Sequence, residues 1–191
     1  PPDLKSRPRW NRPGRYSPEE EPLPLASTPK RGDATVDVAK THDFKVGDLV
    51  RVYHEVKDNR GYGFPRGQLS WITALDGQTI TLDLKIGADL AGECKIRRET
   101  PLRNVRLTNF SIERLRNSKM GDHNIMLVCC ANAEVRNVES SKARTFNILL
   151  FGCRDVIVRD CLLHDLWVRK GYNGYGVTVE WSSGVNVVNN H

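Results

Sequence analysis

The amino-acid sequence predicts an all-β protein in which a proline-rich arm and a small β-rich subdomain precede a series of stacked, strand-rich repeats. Three observations support this prediction. Eight of the ten prolines fall within residues 1–33, residues 34–100 alternate apolar and polar side chains, and one apolar pattern recurs within residues 101–191. Alternation at period two is typical of half-buried strands, and a repeat of roughly 20–50 residues is typical of stacked architectures.

The first segment, residues 1–33, has almost no hydrophobic periodicity. Such proline-rich, charged sequence is extended and cannot bury a core of its own, so we predict an arm that lies against another surface. Trp10 and Tyr16, set among arginines, are its expected anchors. Basic residues interleaved with aromatic ones also suit stacking on nucleic acid. No nucleic-acid-binding motif accompanies them, and we do not expect a nucleic-acid partner.

Residues 34–100 are predicted to form the β-rich subdomain. Apolar and polar residues alternate in the stretches ATVDVA, DLVRVYHEV, QLSWITAL and TITLDLKI. Asp76 and Gly77, between the last two stretches, predict a hairpin, and Gly47 and Asp48 predict a turn before a strand. The segment KDNRGYGFPRGQ is predicted to be a long loop, either solvated or used in recognition.

From residue 104 onward, one pattern occurs four times at spacings of 28, 23 and 29 residues. Its first column consists of Asn104, Asn132, Asp155 and Gly184. Apolar columns follow one and three residues later, and a second Asn/Asp column follows five residues later. Such a unit cannot close a core alone, so it must stack on its neighbours about 4.8 Å apart. We predict a ladder of side-chain amides, with Asn137 and Asp160 buried at a turn and bonded to the backbone of adjacent repeats.

This repeat pattern resembles the right-handed parallel β-helix, the fold of the pectate-lyase-like superfamily. The resemblance covers residues 104–191 well and extends loosely to residues 34–100. It implies a solenoid of parallel strands. The superfamily includes polysaccharide lyases, polysaccharide hydrolases and phage tailspikes, so the resemblance also implies a carbohydrate-directed function, by analogy of fold.

The repeated strands NIMLV and NILLF are apolar on both faces. Their outward members are Met126, Val128, Leu149 and Phe151. A strand that is apolar on both faces has to be covered on both sides. We therefore predict that residues 34–100, a second copy of the chain or another assembly partner covers this outward stripe. The sequence closes with VNVVNNH and no polar cap, and we expect the stack to continue beyond it or against a partner.

Two insertions, residues 113–124 and 164–176, precede the same strand two repeats apart and are predicted to project on one side of the stack, with residues 141–146 between them. Column positions also predict that the rings of His123, Phe146 and Tyr175 stack. The predicted catalytic residues are His123, His164, Asp165, Arg169 and Tyr172. The predicted substrate-binding residues are Lys142, Arg144, Trp167, Lys170, Tyr175, Glu180 and Trp181.

These residue types suit eliminative cleavage of a polyuronate, which needs a base, a cation that neutralises the carboxylate and an acid for the leaving oxygen. A glycosidase would need two carboxylates about 5–9 Å apart, for which Asp122 and Asp165 are candidates. Calcium-assisted cleavage would need several carboxylates on the outward strand face, where only Glu180 is placed, so no metal and no cofactor is predicted. Binding without cleavage fits the same residues. The five cysteines match no zinc-binding spacing and are predicted to be small buried side chains.

The formal net charge of +6 favours an acidic partner, and no run approaches the roughly 18 apolar residues of a membrane helix. Two functions fit. The first is a carbohydrate-directed protein that binds an acidic polysaccharide and, as a lyase or glycoside hydrolase, cleaves it. The second is a non-catalytic structural or adhesive subunit of a larger assembly, such as a phage tailspike-like protein. Both functions imply an extracellular, cell-surface or virion location.

Overall fold

The structure is a computed structural model, and it describes residues 21–57, 63–115, 123–167 and 174–191. Every regular element in those ranges is a β-strand, and none is a helix. The predicted all-β class is therefore confirmed. The chain divides after Glu99 into two compact units, called unit 1 and unit 2.

Unit 1 contains one six-stranded sheet. Its strands are β1 (Leu23–Pro24), β2 (Thr35–Asp37), β3 (Leu49–Lys57), β4 (Gly63–Asp76), β5 (Thr79–Leu82) and β6 (Cys94–Glu99). They follow the order β1-β6-β3-β4-β5-β2, and each neighbouring pair is antiparallel. Strand β1 comes from the segment predicted as an arm, whose expected anchors Trp10 and Tyr16 lie outside the described residues.

The turns at Gly47 and Gly77 lie where the sequence predicts them, but the predicted long loop at residues 57–68 was wrong for residues 63–68, which belong to β4 and pair with β3. Gly67, which suggested a loop, instead allows close strand pairing, because a Cβ there would lie 2.0 Å from the carbonyl oxygen of Val52.

Strands β4 and β5 form a hairpin with Asp76 opposite Thr79. Gly77 in its turn has a φ of 58°, a left-handed backbone that glycine adopts without steric cost. Alternate apolar side chains form the core, as period-two alternation predicts. The core residues include Val36, Val50, Val52, Ile72, Ile80 and Ile96.

Unit 1 also buries an ionic cluster. The carboxylate of Glu99 accepts hydrogen bonds from Arg51 Nε at 2.8 Å and from Arg97 NH2 at 2.7 Å. The three side chains are at most 8% exposed. Arg51 and Arg97 lie directly opposite each other on β3 and β6, so one carboxylate holds two neighbouring guanidinium groups. Burial of these charges is tolerated because they are paired.

The described residues of unit 2 form nine strands that pair in parallel. They are β7 (Leu102–Arg103), β8 (Arg106–Glu113), β9 (His123–Val128), β10 (Cys130–Ser141), β11 (Phe146–Phe151), β12 (Arg154–Arg159), β13 (Leu162–His164), β14 (Tyr175–Glu180) and β15 (Ser183–Val188). One sheet has the order β14-β11-β9. The other has the order β13-β10-β12-β15, and β7 and β8 also pair with β10.

The pairing register of unit 2 confirms the predicted columns. Val135 lies opposite Leu107 and Val158 on neighbouring strands, and Val158 lies opposite Val187. Like side chains are thereby stacked on like, and the inward columns form one core. The core residues include Ile125, Leu127, Val135, Val138, Ile148, Leu150, Val156 and Val158. Three of the five cysteines pack in the same core, as predicted for small buried side chains.

The two Asn/Asp columns lie at sharp corners, but their side chains are not buried as predicted. Asn137 and Asp160 have φ values of 51° and 56°, and both are exposed. Asn137 Nδ2 donates to Asn109 Oδ1 at 2.9 Å, and Asn132 Nδ2 donates to Asn104 Oδ1 at 2.5 Å. The ladder is confirmed between the first two repeats, whereas the burial of Asn137 and Asp160 and the predicted bond of the Asn137 side chain to the backbone were wrong. Asn and Asp tolerate the left-handed conformation better than most residues, which accounts for them at exposed corners.

The outward stripe on the sheet of β9 and β11 is partly buried. Leu149 and Phe151 are 5% and 8% exposed, and Met126 and Val128 are half-buried. Leu149 and Phe151 are thus buried within the chain itself, whereas the cover of Met126 and Val128 by residues 34–100 or by a partner chain stays a prediction.

Candidate functional site

The predicted site contains the corner at residues 142–145, between β10 and β11. Lys142 has a φ of 58°, and Asp165, at the equivalent point of the next repeat, has a φ of 51°. Ala143 is fully buried, and its carbonyl accepts a hydrogen bond from the backbone N–H of Trp167 at 2.8 Å. The corner therefore holds the side chains of two successive repeats next to each other.

At this corner, His164 is held between two carboxylates. Its Nδ1 lies 3.0 Å from Asp165 Oδ2, and its Nε2 lies 3.2 Å from Glu139 Oε1. The other oxygen of Glu139 accepts a hydrogen bond from Ser111 Oγ at 3.1 Å. Hydrogen bonds to Glu139 and Asp165 raise the pKa of His164, because they favour the imidazolium form. The two carboxylates therefore favour a proton on His164 and orient both nitrogens of its ring.

A second ion pair lies beside the first. Lys142 Nζ bonds to Glu113 Oε1, and this hydrogen bond raises the pKa of Lys142. Glu113 and His164 both lie opposite Ser141 on neighbouring strands. We name the corner cluster by its charged members: Glu113, Glu139, Lys142, His164 and Asp165. Three of these are acidic and two basic, so the cluster has no excess positive charge to attract an acidic ligand.

A column of rings begins β9, β11 and β14. The rings of His123 and Phe146 stack with centroids 4.7 Å apart and planes at 16°, and Tyr175 follows with its centroid 5.7 Å from that of Phe146. The predicted stack is confirmed. Tyr175 is 47% exposed, whereas the other two side chains are half-buried. An exposed tyrosine offers an apolar ring and a polar hydroxyl together, which suits contact with a sugar ring.

The predicted pair Glu180 and Trp181 lies at the opposite end of β14 from Tyr175. Trp181 has a φ of 51°, and its ring meets Phe151 edge-on with centroids 4.5 Å apart. Ser182 Oγ donates to the carbonyl of Glu180 and accepts from the backbone N–H of Cys153, both at 2.9 Å. These contacts fix the turn to the preceding repeat, so Trp181 has a packing role.

The structure therefore distributes the predicted site residues over separate surfaces. Lys142, His164 and Asp165 belong to the corner cluster, and Arg144 and Trp167 flank it in sequence. His123 and Tyr175 belong to the ring column, and Glu180 and Trp181 to the far end of β14. Arg169, Lys170, Tyr172 and Asp122 lie outside the described residues.

Sequence reasoning missed Glu139 and Glu113, although the repeat spacing contained the signal. When the columns are continued past the second Asn/Asp position, Ser111 and Glu139 fall in one column. Glu113, Ser141 and His164 fall in another. The structure has this register. The partners of His164 and Lys142 were therefore accessible from the columns.

The described residues contain no group of three or more His, Cys, Asp or Glu side chains that could hold a metal ion. They also contain no helix with the length and hydrophobicity that a membrane crossing requires.

No known family model matches this sequence, and no curated protein is significantly similar to it. Solved structures do share its fold. The tailspike gp61 of Pseudomonas phage phi297 superposes with a TM-score of 0.70 at 18% identity, over 90% of this chain and 29% of that one. The tailspike gp49 of Pseudomonas phage LKA1 superposes with a TM-score of 0.59 at 16% identity, over 88% and 38%.

A third similar structure is the gp54 tailspike of Acinetobacter baumannii bacteriophage AP22, solved in complex with an A. baumannii capsular saccharide. Its TM-score is 0.53 at 16% identity, over 76% of this chain and 34% of that one. The chain thus spans about a third of the length of the tailspikes it matches, between 29% and 38%. At these identities the similarity shows a shared fold.

Proposed function

We propose that this chain is part of a phage tailspike and binds a polysaccharide of a bacterial surface. The observation that carries the proposal is the fold, because three tailspikes superpose on 76–90% of the chain and one of them holds a capsular saccharide. The surface of unit 2 supports it. The exposed ring of Tyr175 and the carboxylates of the corner cluster, which accept hydrogen bonds, are the kinds of group that a sugar-binding surface combines. A virion location follows from the same proposal.

We further propose that the repeats of unit 2 form a right-handed parallel β-helix, in which each repeat is one coil of a solenoid. Two features support this: the parallel, in-register pairing of successive repeats and the left-handed corner residues at equivalent positions. Stacked coils place equivalent side chains about 4.8 Å apart. A regular spacing of this kind suits a linear polymer of repeating sugars.

Cleavage by a lyase or glycoside hydrolase mechanism is a finer proposal. In a lyase, a histidine held in its charged form fits the acid that protonates the leaving oxygen, and that residue is His164. In a hydrolase, Glu139 and Asp165 would provide the carboxylate pair. Arg169, Lys170 and Tyr172 are proposed as additional substrate contacts.

The test uses purified capsular polysaccharides and O-antigens, with alginate, pectate and glycosaminoglycans as acidic probes. Binding to at least one is expected, and no binding at millimolar sugar would refute the proposed function. Replacing Tyr175 with Ala should weaken binding, whereas replacing the exposed Lys85 with Ala should not. Cleavage is assayed by new reducing ends and by the ultraviolet absorbance of unsaturated uronates. If His164 is the acid, His164→Ala should lose cleavage and retain binding.

A second candidate is a non-catalytic structural or adhesive subunit. The observation that favours it is the remaining exposure of Met126 and Val128 on the outward stripe, because apolar side chains left partly exposed side by side suit contact with a partner chain. Sedimentation velocity tests it: a stable oligomer without any glycan binding would favour this candidate, and a monodisperse monomer would count against it.

A further inference from the structure

The outward face of β8, β10 and β12 carries three arginines that the proposed site does not use. Arg106, Arg136 and Arg159 come from three successive repeats. Their side chains lie on the outward face, because the residues beside them fill the inward columns of the core. Arg106 is exposed, and Arg136 and Arg159 are half-buried. We name these three residues the arginine row.

Strand register places these side chains on neighbouring strands. Arg136 lies directly opposite Arg159, and Arg106 lies opposite Glu134. Opposed strands of a sheet are about 4.8 Å apart, and like charges directly opposite each other are unfavourable. The repulsion between these arginines is lowest where negative charge lies close to them.

The protein supplies part of that charge. Glu134 Oε1 accepts hydrogen bonds from Arg159 Nε at 3.0 Å and from Arg159 NH2 at 2.9 Å, and Asp160 Oδ2 lies 3.8 Å from Arg159 NH1. Arg159 is therefore compensated. Arg106 and Arg136 form no ion pair with the described residues, so two of the three charges face solvent.

The charges of all three arginines affect the pKa of Glu134. The pKa of Glu134 is lowered chiefly by its hydrogen bond with Arg159 and also by the charges of Arg159, Arg136 and Arg106. All three arginines therefore contribute positive potential at one place on the sheet. This potential differs from that of the corner cluster, in which each cation is paired and acidic groups are in excess.

Exposed amides border the arginine row on both sides. Asn104 and Asn132 are left-handed corner residues before Arg106 and Arg136 in the chain, and Asn109 and Asn137 are the corner residues that follow them. All four are exposed. Amide side chains donate and accept hydrogen bonds, so the border suits the hydroxyl groups of a sugar chain.

We propose that the arginine row binds the carboxylates of a polyuronate chain that lies across successive repeats. The inference rests on the proposed polysaccharide-binding function and names the charge class of the ligand and the surface that holds it. Guanidinium groups bind carboxylates through two parallel hydrogen bonds. One arginine per repeat matches a polymer with one carboxylate per sugar. The sequence predicted that Lys142 at the corner binds the acidic ligand. The ligand is instead placed on the outward face of β8, β10 and β12.

The test measures binding of a galacturonate hexasaccharide to the full chain by titration calorimetry. The double variant Arg106→Gln/Arg136→Gln should bind at least tenfold more weakly, and its affinity should depend less on salt. Lys85→Gln removes an exposed positive charge that is not part of the row and should change affinity less than twofold. Arg106→Lys/Arg136→Lys keeps the charge without the paired donors and should fall between. Thermal unfolding checks that the variants are folded.

Equal binding by wild type and the Gln double variant would overturn the assignment, and so would tight binding to the carboxyl-reduced, neutral hexasaccharide. Equal affinity for a sulfated chain such as heparin would overturn the carboxylate class. If the chain binds a capsular polysaccharide but not galacturonate at millimolar concentration, the arginine-row proposal fails and the proposed function stands. If it binds no polysaccharide, both fail.

Discussion

Unit 1 and unit 2 are both made of strands, but they pair and pack them in different ways. Unit 1 pairs its strands antiparallel and encloses an ionic cluster that is made once, in which Glu99 holds Arg51 and Arg97. Unit 2 pairs its strands in parallel and repeats one packing arrangement along its columns. Its amide ladders lie at exposed corners, and it also buries polar side chains such as Ser140 and Asn147. The core of unit 1 thus includes a contact made once, whereas the core of unit 2 is built from columns in which each member packs on its neighbours.

The largest expected effect is in a column of unit 2. Val158 is fully buried and stacks between Val135 and Val187. Val158→Asp places an uncompensated charge in the core and should cost more than about 4 kcal/mol. Hydrogen exchange resolved by peptide should show lost protection in unit 2. The neighbouring Ile157 is 40% exposed, and Ile157→Asp should cost less than about 1 kcal/mol. An unchanged melting temperature for Val158→Asp would mean that this column is not in the core.

The second effect is in unit 1. Glu99→Ala leaves Arg51 and Arg97 buried without their shared carboxylate, and breaking a buried pair in this way costs about 3–5 kcal/mol. Loss of exchange protection should be largest in β3 and β6. The matched control is Glu55→Ala, because Glu55 is 60% exposed and lies 3.5 Å from Lys95. Exposed pairs contribute little, so equal destabilisation by both variants would contradict a special role for the buried cluster.

The third effect concerns the outward stripe. Phe151 is 8% exposed and contacts the ring of Trp181, so Phe151→Ala should destabilise the chain by about 3 kcal/mol. Chemical denaturation measures this change. Leu162 is 46% exposed, and Leu162→Ala is the control that should have little effect. If the two variants are equally stable, the stripe is not covered and the unit 2 core is confined to the inward columns.

The smallest effect is the pH dependence of the corner cluster. The pKa of His164 is raised from its ordinary value of 6.5 by Glu139 and Asp165. A raised pKa contributes stability that is fully present below the unfolded value and is lost as the pH rises through the folded value. The melting temperature of wild type should therefore exceed that of His164→Gln below pH 6.5, and the difference should shrink as the pH is raised. A difference that grows with pH would show that the contacts of His164 with these carboxylates are absent.

The sequence by itself determined the all-β class and the register of unit 2. Equivalent positions recur at 28, 23 and 29 residues, and repetition of a residue type identifies which residues stack. The ring column of His123, Phe146 and Tyr175 and the Asn ladders follow from that register. The hairpin at Gly77 was likewise predictable, because the turn requires a local backbone conformation that few residues adopt.

Only the tertiary structure decided the contacts that are made once or that depend on side-chain direction. Gly184 stands in an Asn/Asp column with a φ of 65°, and a Cβ there would lie 2.0 Å from Arg154 Nη1, the end of a long side chain that would have to move; no spacing shows this contact. The cluster around Glu99 joins residues 48 positions apart, and no second copy exists to indicate it. A column specifies which residues are neighbours, but the direction of each side chain, its burial and its charge partner depend on the packing around it. For that reason the amide ladder was predicted and its exposure was not.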